Sequence, residues 1–178
     1  MSSSFITNKD KFLSDIINGI LPKTDAVDFL VGYFYYSGYV QLSENLKSKH
    51  IRILVGLDIE IQISKHVCEV ENFRQKLLSR GVLKEQYYSE FVKAFNDTDF
   101  LDTAEKIEQF KMFYAKILDG TLEIRKTLDP CHSKMYLFVY NESMNEGGQL
   151  PGAMITGWSN LSYQGMQGRS ELTARFND

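Results

Sequence analysis

Apolar and polar positions divide the chain into blocks of two periods. Phe12, Leu13, Ile16, Ile17 and Ile20 recur at helical spacing between Asn8 and Ile20, with Gly19 and Pro22 as nearby stops, and predict a short amphipathic helix. Ala26 to Tyr36 is a nearly continuous apolar run, the pattern of a strand covered on both faces. Ser37-Gly38 then opens a helix with Tyr39, Leu42 and Leu46 on one side, and Ile51 to Leu57 returns as a strand. Strand, helix, strand over so short a stretch is a βαβ unit, which makes the two strands parallel neighbours.

From 63 to 118 the period turns helical. Val67, Val70, Phe73 and Leu77 form one stripe, stopped by Gly81; Tyr88, Phe91, Val92 and Phe95 form another. Ala104, Ile107, Phe110, Phe113, Tyr114 and Ile117 form a third, ended by Asp119-Gly120. Aromatic stripes at this spacing are expected to be core before they are binding surface. Leu122 to Lys126 reads as a strand, and Asp129-Pro130 turns the chain into Cys131–Tyr140. That stretch alternates in period two, which puts His132, Lys134, Tyr136, Phe138 and Tyr140 on one face and turns Ser133, Met135, Leu137 and Val139 into the core. Asn141 to Gly152 is polar and Gly-containing, a hairpin loop. Ala153 to Thr156 is a further strand, and Glu171 to Phe176 the last.

The elements define an α/β fold in a single domain spanning 1–178: a mixed sheet flanked by helices, with a helical insertion around 63–118. A chain of 178 residues is long enough to bury about 70% of its unfolded surface. The formal charge of -3 gives no bulk attraction to nucleic acid, so any such binding needs a local basic site. Cys68 and Cys131 are too few and too far apart for a disulfide scaffold, which points to a reducing cytoplasm. Met1-Ser2-Ser3-Ser4 has no positive start and apolar core of a secretion signal, and no run approaches the ~20 apolar residues of a membrane span. The end at Phe176-Asn177-Asp178, straight out of a predicted strand, leads us to expect a piece of a longer protein.

The chemistry concentrates in two segments. Two residues along a strand span roughly 6.6 Å, so the His132 imidazole and Lys134 ammonium can reach one phosphate together. Histidine there can attack phosphorus and lysine can hold a charged oxygen. Gly157-Trp158-Ser159-Asn160-Leu161-Ser162 follows the next strand, and its Ser and Asn can donate to the same oxygens. Each residue also has a plainer reading. His132 alone would be a half-buried structural histidine and Lys134 a solvated strand lysine. Ser159 and Asn160 would cap the helix that Leu161-Ser162 begins, a role compatible with anion binding. Glu171 is as readily a surface charge as a histidine partner. Trp158 is able to stack a base, though packing is the expectation. Arg125, Lys126, Arg169 and Arg175 flank the site as backbone-holding charges or as ordinary surface. A metal centre is disfavoured, because Cys131-His132 lacks paired ligand spacings and His50 and His66 stand elsewhere alone. No G-x-x-x-x-G-K occurs, so P-loop ATP hydrolysis is not on this chain.

His132-Ser133-Lys134 and the later Gly157-Trp158-Ser159-Asn160-Leu161-Ser162 resemble the H-x-K and G-S-S-N-L-[ST] motifs of the phospholipase D superfamily, in its nuclease-like branch. Glu171 falls where that branch carries a glutamate near the nucleophilic histidine. Two positions depart from the pattern: the family aspartate would fall at Val139, and Trp158 replaces the first serine. The stretches 28–38 and 51–58 look like the opening strands of such domains, so the resemblance covers most of the chain. It is similar to the phospholipase D-like domain at the N-terminus of bacterial superfamily-two helicases linked to restriction or repair, with a helicase/ATPase region beyond it. The resemblance implies His132, Lys134, Asn160 and Glu171 as catalytic residues and Ser159 and Gly157 as phosphate-binding ones. It implies a phosphohistidine intermediate, no cofactor and no metal. With one H-x-K per chain, it also implies a homodimer that supplies the second histidine, and DNA before RNA as the partner. The rivals are a non-catalytic DNA-binding or dimerisation module and, behind it, phospholipid hydrolysis.

Overall fold

The computed structural model describes residues 4–6, 11–59, 103–142, 152–168 and 173–177, of which 4–6 and 173–177 are backbone only. The predicted stripes at 67–77 and 88–95, and most of the insertion they belong to, lie outside the described residues.

β2 (Thr24–Phe34) is the centre of the sheet. It pairs in parallel with β3 (His50–Ile59), and β3 in parallel with β4 (Leu122–Lys126). On its other side β2 pairs antiparallel with β5 (Met135–Tyr140), followed by β6 (Gly152–Gly157), β7 (Thr173–Asn177) and β1 (Ser4–Ile6), all antiparallel. The result is one seven-stranded mixed sheet, ordered β1-β7-β6-β5-β2-β3-β4. The expected parallel pairing of the first two long strands is present, bridged by α2 (Tyr36–Val40) and α3 (Ser43–Leu46). The three-residue β1 was not foreseen; so short a segment carries no period.

Side chains of Val27, Phe29, Val31, Ile51, Ile53, Val55, Leu122, Ile124, Tyr136, Phe138 and Ile155 form one buried layer. Against it pack α1 (Leu13–Ile20), through Leu13, Ile17 and Ile20, together with the α2–α3 pair and α4 (Ala104–Asp119). α4 begins and ends where its sequence dictates. The Thr103 hydroxyl accepts from the Lys106 N–H at 3.3 Å, and Gly120 closes the helix at φ 80°, a left-handed conformation glycine adopts without a Cβ clash. Its Phe110, Phe113 and Tyr114 are buried, as the aromatic stripe predicts. Phe113 meets Tyr39 and Tyr36 edge-on with centroids 4.8 and 5.1 Å apart.

Two expectations need correction. β5 faces the opposite way from the one predicted: Lys134, Tyr136 and Phe138 point into the core, whereas Met135 and Leu137 are half-buried on the far side and Val139 is 47% exposed. Period two fixes the alternation of a strand but not which face is covered. Both faces of β5 are apolar, and the larger rings win the helix-covered side, where Phe29 lies edge-on to Tyr136 at 5.1 Å and Phe138 at 6.1 Å. The second correction concerns β2, expected to be covered on both faces. Among the described residues the helices cover one face only, and Asp28 and Leu30 help line a shallow cavity of about 330 Å³ on the other, with Arg52, Leu54, Arg125 and Leu137. There Arg52 donates two hydrogen bonds to the Asp28 carboxylate. No described helix is long and apolar enough to cross a membrane.

Burial raises the phenol pKa of Tyr36 and Tyr39 above the ordinary 10.0, with each other's charge adding at Tyr36. The unfolded chain therefore loses these protons first, so their contribution is full below pH 10.0 and falls as the pH climbs past it. We expect the alkaline unfolding midpoint, followed by circular dichroism, to move to higher pH in the Tyr36→Phe/Tyr39→Phe variant. An unmoved midpoint would assign the alkaline transition to other groups.

Candidate functional site

The C-terminal ends of parallel β2 and β3, the approach to β5 and the turn after β6 all meet at one end of the sheet. In open α/β sheets this is where ligand crevices form. β5 starts at Met135, so His132 and Lys134 precede the strand rather than lying within it. The Cys131 N–H bonds to the Gly56 carbonyl at 2.9 Å and ties this approach to the end of β3. A Cβ at Gly56 would fall 1.8 Å from the Cys131 carbonyl oxygen, so the approach needs glycine there. Hydrogen bonds from the Ser133 backbone and then its side chain, with the Lys134 charge adding, pull the Cys131 thiol below its ordinary pKa.

Lys134 is 3% exposed, a costly place for an ammonium without acceptors around it. Its Nζ donates to the His132 carbonyl at 2.7 Å and lies 2.9 Å from Nδ1 and 3.1 Å from Nε2 of the same residue. The imidazole itself is exposed, and Nζ, close to both ring nitrogens at once, lies over the ring rather than along either in-plane lone pair. The Lys134 carbonyl accepts from Thr156 Oγ1 at 2.9 Å and from the Gly157 N–H at 3.4 Å, which fixes the lysine backbone to β6.

Asn160 enters from the far side of that hairpin. Its Oδ1 accepts the Tyr33 N–H at 2.9 Å. That commits the carbonyl end of the amide and leaves Nδ2, with two protons, as the donor. The turn carrying it is held at both ends. Tyr136 Oη donates to the Ser159 carbonyl at 2.7 Å, and Tyr35 N–H to the Leu161 carbonyl at 2.9 Å. Convergence shows most directly at Gly32, where a Cβ would meet Asn160 Oδ1 at 3.2 Å, Lys134 Nζ at 3.5 Å and His132 Cδ2 at 3.6 Å. Three of the predicted residues thus surround one point left open by a glycine.

The remaining predicted residues fare differently. Ser159 is buried beneath the turn. The Gly157 N–H is committed to the Lys134 carbonyl, so this glycine shapes the turn rather than offering a donor. Glu171 lies outside the described residues, as do Arg169 and the side chain of Arg175. Arg125 does not flank the site: it sits on β4, beyond β2 and β3 from β5, and pairs with Glu123 at 2.6 Å on the open face. Lys126 pairs with Asp58 at 3.7 Å. The expected helix cap also shifts. Ser162, not Ser159 or Asn160, accepts through its hydroxyl from the Gly165 N–H at 3.1 Å, opening a π-helical turn over Gln164–Gly168. Trp158, expected to pack, is 66% exposed. Among the described residues no group of three or more His, Cys, Asp or Glu is placed to hold a metal ion.

Sequence reasoning missed Gly32 and Gly38. A glycine inside an apolar strand run does signal close approach, and Gly32 was legible on that ground. Comparison with known proteins adds nothing to this geometry: no family model and no curated protein matches the chain.

The two glycines separate fold from site. A Cβ at Gly38 would fall 2.3 Å from the Ser162 backbone nitrogen, so Gly38→Ala must push α2 off the Asn160 turn and should cost about 1–3 kcal/mol in urea denaturation. Gly32→Ala meets atoms no closer than 3.2 Å and should leave the denaturation midpoint nearly unchanged while shifting the His132 ring signals in NMR. Equal destabilisation by both would contradict the geometry.

Proposed function

We propose that the chain is a phospholipase D-like domain of a helicase or restriction-type protein, which binds nucleic-acid phosphodiesters and hydrolyses them through His132. The observation that carries this reading is the convergence of imidazole, ammonium and amide around Gly32. An anion bound beside Lys134 draws charge from Nζ and a hydrogen bond from Asn160 Nδ2, the end of the amide that Tyr33 N–H leaves uncommitted. Lys134 turns from the ring to a non-bridging oxygen, and an imidazole nitrogen attacks phosphorus with its in-plane lone pair. A P–N bond then forms as the P–O ester bond breaks in line with it. The leaving oxygen needs a proton from the opposite side, which one chain does not provide. The reading therefore requires a homodimer in which the partner subunit's His132 is the acid. Water attack on the phosphohistidine returns the imidazole and releases the phosphate monoester. No step calls for a metal ion. Glu171 is the expected partner that orients the nucleophilic ring.

A second reading, a DNA-binding or dimerisation module without turnover, has its own support. Val139, where the superfamily places an aspartate, projects from the face opposite Lys134, and the chain is acidic overall. The two readings part in one assay. Labelled oligonucleotide in EDTA should be cleaved by the wild type and not by His132→Ala. Asn160→Asp keeps the acceptor for Tyr33 N–H and therefore the fold. It places a carboxylate where the phosphate binds and should lower oligonucleotide affinity at least tenfold, the effect of about 1.4 kcal/mol. Binding without cleavage by the wild type establishes the module, and a strict monomer in light scattering rules out the two-histidine mechanism.

A further inference from the structure

We infer that the exposed rings beside Asn160 form a stacking rim for unpaired bases, so that the nucleic acid taken by this site is single-stranded; the inference rests on the phosphodiester reading and narrows it. The described residues leave five aromatic side chains exposed: Phe12, Tyr33, Tyr35, Trp158 and Tyr163. Four of them belong to the two segments that build the Asn160 turn. Tyr33 donates its N–H to Asn160, and Tyr35 donates to Leu161. Tyr163 donates its N–H to the Ser37 hydroxyl at 3.4 Å, and Trp158 stands two residues before Asn160. The alternation is sharp: Phe34, Tyr36, Ser159 and Leu161 are buried, while Tyr33, Tyr35, Trp158 and Tyr163 are 36, 43, 66 and 48% exposed. The buried set explains why these segments fold together. Among the described residues no packing accounts for the exposed set, and large rings in water forgo their burial energy.

An anion site with rings one to three residues from it matches a nucleotide, whose phosphate and base are joined by one sugar. Every base has a π-face, so such a rim grips any sequence, but only once the base is out of its duplex. A lipid surface shares the phosphate chemistry and also accepts Tyr and Trp at its interface, so vesicles are one arm of the test below.

Trp158 is the single tryptophan, so its fluorescence reports the rim directly. The probes are oligothymidylate, its duplex with oligoadenylate, an abasic oligomer of equal length, and phosphatidylserine-containing vesicles. We expect oligothymidylate to quench Trp158 and to bind at least about tenfold tighter than the duplex or the abasic oligomer. Trp158→Ala and Tyr35→Ala should each weaken it about tenfold in anisotropy without changing the melting temperature, because both side chains are exposed. Abasic or duplex DNA binding as tightly overturns the rim and leaves the phosphodiester reading standing. Failure of all three nucleic acids to bind overturns both. A blue shift with vesicles in place of quenching by oligonucleotide replaces the rim with a membrane contact.

Discussion

The structure depends on the seam between the end of β2 and the segment 160–163. Three consecutive contacts form it: Asn160 Oδ1 with Tyr33 N–H, the parallel bridge of Phe34 with Leu161, and the Leu161 carbonyl with Tyr35 N–H. β2 is already the strand on which the parallel and antiparallel halves of the sheet join. The seam extends it past its last sheet residue onto the turn that carries Asn160. Without it, Asn160 would belong to a loop after a hairpin, and the H-x-K segment would face open solvent. With it, a residue 127 positions away in sequence becomes a neighbour of the strand end. Of the two glycines that meet this region, Gly38 is where the far backbone comes too close for a Cβ, and Gly32 is where the Asn160 side chain comes to 3.2 Å of one.

Lys134 shows how fold and chemistry share one side chain. It is on the core face of β5, in line with Tyr136 and Phe138, and on apolar grounds alone a hydrocarbon would serve better there. An ammonium is tolerable because the chain has not yet entered the strand. The His132 carbonyl, in reach of Nζ, supplies an acceptor that a residue further along β5 would lack. Lys116 in α4 is a parallel case without the functional context: burial lowers its pKa, and it donates to the Lys47 and Lys49 carbonyls and the Thr121 hydroxyl. A buried lysine alone is therefore weak grounds for a site in this protein. The imidazole and amide at Lys134 are what distinguish it.

How much of this the sequence reveals follows from what each signal encodes. The helix at Ala104–Asp119 was legible because stripe, cap and terminal glycine agree. The βαβ unit was legible because a parallel pair admits few other connections. The facing of β5 was not, since alternation is symmetrical under exchange of faces and both its faces are apolar. His132 and Lys134 stood out as a pair by spacing, yet the reason they meet differs from the one the spacing offered. They sit in the irregular approach to the strand, where the lysine curls back on its own histidine instead of running beside it. Asn160 was found through its turn, but its anchor on Tyr33 is a long-range contact that no local pattern encodes. The exposure of Trp158 was likewise hidden, because a tryptophan among Gly, Ser and Asn reads equally well as packed or free.

Charge explains why such a site would lean on rings. The protein is acidic, and Arg52, Arg125 and Lys126 each sit against a carboxylate, on the open face for the two arginines and at the β3–β4 edge for Lys126. Exposed pairs of this kind add little to stability, but they cancel the field a polyanion would sense at a distance. Counterion release, the usual source of affinity for nucleic acid, scales with the number of phosphates neutralised, and one buried ammonium neutralises few. Affinity in a domain built this way has to come from short-range contacts: amide, ammonium and, on the reading argued above, the faces of aromatic rings. These demand a strand whose bases are already unstacked. On the proposed reading, the paired charges among the described residues point the same way as the exposed tyrosines and tryptophan, toward single-stranded nucleic acid.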